Sequence, residues 1–222
     1  MLHKTRGVVF RFTKYGETSI IVNIFTELFG LQSYIVNGVR SKSGKNKIAL
    51  YQPLTLLDLV VYYRENANIN RIKEVKCLYP YQSIPLDIKK SAAAIFINEV
   101  VNKTIKEESH ALELCNFMID SFITLDTLTA RVENFHLLFL LKLSRLLGFG
   151  AHHTNEVLAG RAIAIETEQI VGQLIESDYS DFVKMTNRQR RDILDLLLKF
   201  YADHIESLGE MRSVQVLREV MG

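Results

Sequence analysis

Between Arg40 and Lys47 the chain reads Arg-Ser-Lys-Ser-Gly-Lys-Asn-Lys, four cations in eight residues with no acid and no apolar side chain. A run of this kind has nothing to bury, so it is expected as an exposed loop. Cations held out in this way can neutralise phosphates and release the counterions condensed on a nucleic acid. The same composition also suits a solvated, solubilising loop. Arg6, Arg11, Lys14, Arg64 and Arg71 fall on or beside expected strands and could extend a basic patch. Small barrels that hold single strands add aromatic rings, each stacked base contributing about 1–3 kcal/mol. Phe10, Phe12, Phe25, Phe29, Tyr34, Tyr51, Tyr62 and Tyr63 are available, and Tyr34, Tyr51 and Tyr63 are the expected outward candidates.

Signals for catalysis are weaker. His152 and His153 are adjacent, and neighbouring side chains diverge on any regular element. No His-Glu-x-x-His or Cys-x-x-Cys accompanies them, so no metal site is expected. Ser43-Gly44-Lys45 lacks the first glycine of a phosphate-binding loop, and no Gly-x-Ser-x-Gly elbow is present. Glu107 and Glu108 read as a surface pair at a helix end. No catalytic residue is assigned. Two cysteines, Cys77 and Cys115, are too few for a disulfide framework or a four-thiolate zinc site. The alternating start is not a secretory signal, and no apolar run reaches the ~20 residues of a membrane span. A cytoplasmic protein without cofactor is expected.

The elements that must position the cations change near residue 80. Gly7–Phe12 alternates with a period of two, Val8, Phe10 and Phe12 against Val9 and Arg11. Gly16 suits a hairpin turn before the β-branched run Thr18–Phe25, and Gly30 a second turn before Leu31–Val36. Pro53 opens a run in which Leu54, Leu56, Asp58, Val60 and Tyr62 oppose Thr55, Leu57, Leu59, Val61 and Tyr63. A turn over Asn66–Asn70 and a strand over Ile72–Leu78 complete five strands, a number that fits a small closed barrel.

Beyond Pro80 and Pro85 the period becomes helical. Asp87 is the expected N-cap of a helix through Ala92, Ile95, Phe96, Glu99 and Val100. A second helix carries Leu112, Cys115, Ile119 and Phe122. A third runs from about Glu133 to Leu147 and stops at Gly148. Thr186 and Gln189 form a capping-box pattern, opening a helix with the stripe Ile193, Leu197, Phe200 and Leu208 that Gly209 ends. Residues 150–181 give no clear assignment.

The whole chain has 222 residues, with 27 lysines and arginines against 25 acids, a formal charge of +2. Such a total argues against a nucleic-acid protein. Its distribution argues otherwise. Residues 1–80 carry twelve cations against five acids, a balance of +7, and residues 81–222 carry fifteen against twenty, a balance of −5.

The ordered series Tyr15-Gly-Glu-Thr18, Ile21-Val22, Phe25-Thr26, Gly30, Asn37-Gly38-Val39-Arg40-Ser-Lys42-Ser43 and Gln52-Pro53 resembles the bacterial recombination mediator family RecO. The likeness continues through Ile97-Asn98-Glu99-Val100 and Leu147-Gly148-Phe149-Gly150 to Met211-Arg212-Ser213. It implies an α+β chain: an N-terminal five-stranded OB-fold barrel over 1–80 that binds DNA, then an all-helical domain over 81–222. It also implies a non-enzymatic role in DNA repair and recombination. That role comprises binding single- and double-stranded DNA, annealing complementary strands, and helping to load the RecA recombinase onto strands coated by single-strand-binding protein (SSB). Expected partners are RecR and the acidic C-terminal tail of SSB.

On this reading the DNA-binding residues are Arg11, Lys14, Arg40, Lys42, Lys45, Lys47, Arg64, Arg71 and Tyr34. Arg131, Lys142 and Arg145, cations beside an apolar helix face, are the residues expected to hold the tail. Many relatives carry four zinc-binding cysteines after the Leu-Gly-aromatic segment, whereas residues 149–222 contain none. Side-chain packing is therefore expected in place of zinc from about residue 150. Two alternatives keep other classes open: an interaction adaptor whose barrel does not bind nucleic acid, and a metal-dependent hydrolase using His152 or His153.

Overall fold

Gly7 sits where one long strand pairs on both its edges. β1 (Leu2–Tyr15) matches Gly7 with Thr26 of β2 (Ser19–Thr26) and with Leu57 of β4 (Leu56–Tyr62). A Cβ on Gly7 would lie 2.7 Å from the Ile24 Cγ2 and 2.9 Å from the Phe25 carbonyl oxygen, so only glycine lets the strands approach this closely. β3 (Gly30–Val36) and β5 (Asn70–Tyr79) complete a closed barrel in the order β1-β2-β3-β5-β4. Every pairing is antiparallel except β3 with β5. This is the five-stranded OB barrel, and closure leaves the sheet without free edges. The computed structural model describes residues 1–41, 47–65, 67–106, 110–150 and 152–221.

Strand parity fixes the barrel interior. Val9, Ile20, Val22, Ile24, Tyr34, Leu57, Leu59 and Val61 form one buried cluster with Val39 and Tyr51. The expected alternation of Val8, Phe10 and Phe12 on one face is broken. A β-bulge between Val9 and Arg11 inserts Phe10 as an extra residue, so Val9 and Phe12 both pack on the interior cluster. Phe10 stacks on Phe25 instead, with ring centroids 5.7 Å apart. The fourth strand also starts later than Pro53 suggests. Leu54 takes a left-handed backbone (φ 69°) and donates its N–H to the Val9 carbonyl at 2.7 Å, so regular pairing begins only at Leu56.

Among the described residues seven helices follow: α1 (Ile88–Thr104), α2 (Ala111–Thr127), α3 (Phe135–Leu146), α4 (Thr154–Leu158), α5 (Ile165–Glu176), α6 (Asn187–His204) and α7 (Ser213–Met221). The chain divides into two compact units. One comprises Met1–Tyr81 with Ile105–Ile123, the other Gln82–Thr104 with Thr124–Gly222. Within the first, the Arg6 guanidinium pairs with Glu27 at 2.7 Å and donates to the Asn116 Oδ1, while Cys115 is buried. Burial pushes the Cys115 thiol up to about 12, which keeps it protonated.

Caps end the helices of the second unit where the residue types require. The Asp87 carboxylate accepts the N–H groups of Lys89 and Lys90, opening α1. Gly148, at φ 82°, supports two closing bonds after α3, its own N–H to the Arg145 carbonyl and that of Phe149 to the Ser144 carbonyl. Thr186 and Gln189 make the expected reciprocal box at the start of α6. That helix ends at His204, however, and Leu208, though buried, lies beyond it in the segment before α7. The unassigned stretch contains α4 and α5. Around it, the Phe149 ring stacks on His204 at 4.8 Å and meets Tyr201 edge-on at 5.0 Å.

Two distant parts of the sequence series meet at the start of α7. The Glu99 carboxylate accepts the Arg212 N–H at 3.0 Å, the Ser213 N–H at 2.8 Å and the Ser213 hydroxyl at 2.5 Å. Partial burial alone would raise the Glu99 pKa, but these bonds and Lys103 together hold it below the ordinary 4.5. A carboxylate depressed in the folded state contributes its full stability above the unfolded value and loses it as pH falls through the folded one. Glu99→Gln is therefore expected to cost about 1–2 kcal/mol at pH 7. It should also flatten the acid limb of a stability–pH curve below 4.5 in urea titrations.

Candidate nucleic-acid interface

Residues facing inward are spoken for by the core, so a ligand of the barrel must use the opposite parity. Strand register places Thr13, Ile21, Ile35, Arg71 and Tyr62 in one continuous row crossing β1, β2, β3, β5 and β4. Arg11, Asn23 and Ser33 form an adjacent row, with Asn23 donating to the Ser33 hydroxyl at 3.4 Å. Ile21, Asn23, Ser33 and Ile35 are half-buried, while Arg11, Thr13 and Arg71 are exposed. The rows thus combine cations at their margins with small polar and apolar side chains between them. At the end of the first row, Tyr62, Arg64, Ile69, Asn70, Arg71 and Met1 line a cleft of about 590 Å³.

The expected DNA-binding residues separate into groups. Arg11 and Arg71 occupy neighbouring outer rows, and Arg64 joins Arg71 in the cleft. Lys14 is exposed near the end of β1, and Arg40 reaches the following turn, its guanidinium donating to the Gly16 carbonyl at 3.1 Å. Lys47 is exposed just before a short 3₁₀ turn over Ile48–Tyr51. Lys42 and Lys45 lie outside the described residues.

Tyr34 requires correction. It is fully buried in the barrel interior, and Tyr51 is buried with it, so neither ring can receive a base. Burial also raises both phenols, Tyr51 to about 12. Tyr63 is half-buried and stacked against Phe29 at 3.8 Å. The ring that sequence reasoning passed over is Tyr62, 46% exposed beside two arginines. Its signal was parity: Leu57, Leu59 and Val61 mark the inward set, and Tyr62 belongs with Asp58 in the other.

In the second unit, Arg131, Lys142 and Arg145 line up before and along α3; Arg131 and Lys142 contact the connection after α5, and Arg145 the last turn of α5 itself. Lys142 pairs with Asp178 at 3.1 Å and lies 5.4 Å above the Tyr179 ring. Arg131 sits 4.9 Å over the Phe182 ring and donates to the Ser180 carbonyl at 3.3 Å. Arg145 donates to the Ile175 carbonyl at 2.5 Å. Lys142 and Arg145 also border a cleft of about 420 Å³ with His152, Asp178 and Asp181.

His152 and His153 are both exposed, and their backbone N–H groups donate to the Glu156 carboxylate. Among the described residues no group of three or more His, Cys, Asp or Glu side chains is placed to hold a metal ion. No helix among them is long and apolar enough to cross a membrane.

Comparison with known proteins agrees with this architecture. Residues 1–81 match the family model described as "Recombination protein O N terminal", and residues 85–171 match "Recombination protein O C terminal". The chain is 33% identical over 240 residues to the DNA repair protein RecO of Bacteroides fragilis, covering 99% of both chains. It is 32% identical over 240 residues to that of Christiangramia forsetii, covering 100% of both. With that of Flavobacterium psychrophilum it shares 33% over 234 residues and 98% of both. Barrel, helices and full-length likeness lead to one conclusion: the chain belongs to the RecO family of DNA repair proteins.

Proposed function

We propose that this chain is a recombination mediator that acts in DNA repair by holding DNA on the outer rows of its barrel. The observation that carries the reading is the placement of Arg71 beside Tyr62, and of Arg11 beside the Asn23–Ser33 pair in the adjacent row, on a segment with a balance of +7. Arginines would neutralise phosphates, and the exposed tyrosine would stack a base. Two complementary strands brought to such a surface lose much of their mutual repulsion, which is what annealing needs. No bond is made or broken, so no catalytic group is required. The barrel segment 1–80 would serve as the DNA-binding part and the helical segment 81–222 as the protein-binding one. The acidic tail of SSB would bind at Arg131, Lys142 and Arg145, RecR would assist, and RecA would be loaded on the exposed strand in the cytoplasm.

The test is fluorescence anisotropy of a labelled single-stranded oligonucleotide repeated across salt. Binding is expected to weaken with a log–log slope of about −0.7 per phosphate contact. At ~0.15 M salt the same relation makes each contact worth about fourfold in affinity. Arg11→Ala with Arg71→Ala should then weaken binding about fifteenfold and make the slope about 1.4 shallower. No measurable affinity for either DNA form would exclude the reading and leave the barrel as an adaptor.

A further inference from the structure

The connection between α5 and α6 runs Ser177-Asp-Tyr-Ser-Asp-Phe182-Val, an acidic segment with two aromatic rings. Its chemistry is that of the peptide for which the cations of α3 were singled out. The Asp178 carboxylate takes Lys142, and the Tyr179 ring lies flat on buried Phe135 with centroids 4.3 Å apart. Phe182 faces the Arg131 guanidinium. A short turn fixes the Asp178 backbone, whose N–H donates to the Asp181 carboxylate at 2.7 Å. The bond from the Tyr179 N–H, and next the one from Lys142, lower the Asp178 pKa.

This attachment is weak by construction. Phe182 remains 64% exposed, the Asp178 carboxylate is mostly in solvent, and Arg131 is exposed. Surface ion pairs and exposed cation–ring contacts stabilise little. The Tyr179 ring rests on a buried partner, Phe135.

We propose that Asp178–Phe182 is an internal competitor, a stretch of the chain's own sequence that occupies the acidic-peptide site on α3 until a partner's tail displaces it. The inference rests on Arg131, Lys142 and Arg145 being that site. An incoming peptide with carboxylates and a terminal aromatic or apolar residue would satisfy the same cations. Its apparent affinity is reduced by the fraction of molecules in which the segment is closed. The device makes weak, scattered acidic peptides poor ligands and reserves the site for a tail presented at high local concentration.

A fluorescein-labelled synthetic peptide of four aspartates ending in a free-carboxylate phenylalanine serves as the probe, with full-length protein. Asp178→Ala combined with Phe182→Ala removes two solvent-facing grips and leaves Tyr179 in place, so folding is not at risk. The double variant is expected to bind the probe on the order of tenfold more tightly than the unaltered chain. Saturating probe should also speed amide exchange over 178–183 in the unaltered chain. Equal or weaker binding by the double variant, or slowed exchange over 178–183, overturns the competitor. If Lys142→Ala still weakens the probe in that case, the tail site itself stands. Failure of the probe to bind both the unaltered chain and the double variant overturns the site and the competitor together.

Discussion

Replacing Arg40, Lys42, Lys45 and Lys47 together with alanine is expected to lower the affinity for single-stranded DNA about 200-fold at ~0.15 M salt. The salt slope should become about 2.8 shallower. Both figures follow from four phosphate contacts, each releasing about 0.7 of a counterion on a single strand. The two readouts must move together, because affinity and slope count the same contacts. A fall in affinity with an unchanged slope would mean that the variant damaged the barrel. Arg40 is the residue through which that could happen, since its guanidinium holds the Gly16 carbonyl and its N–H the Thr18 carbonyl. The triple variant that spares Arg40 separates the effects, with an expected loss of about 50-fold and a slope change of about 2.1. Binding unchanged in both variants would remove the loop from the DNA site and leave Arg11, Arg64 and Arg71 to carry it.

The change from strands to helices near residue 80 was readable because the hydrophobic period itself changes there, from two to about four. The five strands and their order along the chain followed from the same signal. Ring placement did not. In β3 both parities mix polar and apolar residues, Leu31, Ser33 and Ile35 against Gln32, Tyr34 and Val36, so Tyr34 could not be assigned to a face before its neighbours were known. In β4 the inward set is uniformly apolar, and Tyr62 could have been found. The Phe10 bulge was hidden for another reason: it arises from pairing with β2, not from anything local to Gly7–Phe12.

Residues 150–181 were unreadable on local grounds. α4 has five residues, too few to display a period, and neither α4 nor α5 begins at a residue of the usual capping types. His153 precedes α4, with Glu156 completing the box, and Ala164 precedes α5 without a side-chain cap. The occupants of Arg131, Lys142 and Arg145 were equally hidden. Their cationic character was visible, but the segment that meets them is distant in sequence and is brought there by the fold. Arg131 even takes a left-handed backbone, at φ 65°, as it opens the turn before α3.

The second large effect concerns stability and lies away from any cation proposed to touch DNA. Asp126 is 4% exposed, and its carboxylate accepts three successive backbone N–H groups, those of Gln82 at 2.9 Å, Ser83 at 2.8 Å and Ile84 at 2.8 Å. Lys90, equally buried, donates to the Ser83 hydroxyl at 2.6 Å and to the Asp126 carbonyl at 2.7 Å. The carboxylate pins the chain just ahead of α1, while the Ser83 hydroxyl and the Asp126 carbonyl receive the buried ammonium. Asp126→Ala removes the acceptor of three amides, and is expected to cost about 3–5 kcal/mol. For a chain of this size that corresponds to a fall in Tm of about 6–20 °C. Asp126→Asn keeps one acceptor oxygen but turns an N–H₂ group toward the remaining amides, so its loss should fall between the alanine variant and the unaltered chain. Lys90→Met in the alanine background is the decisive comparison. It takes away the buried ammonium, and should restore part of the lost stability if the Asp126 carboxylate balances that charge from beyond contact distance. If Lys90→Met instead adds a further full loss, the lysine is satisfied by the carbonyl and Ser83 alone, and the cost of Asp126→Ala belongs to the three amides.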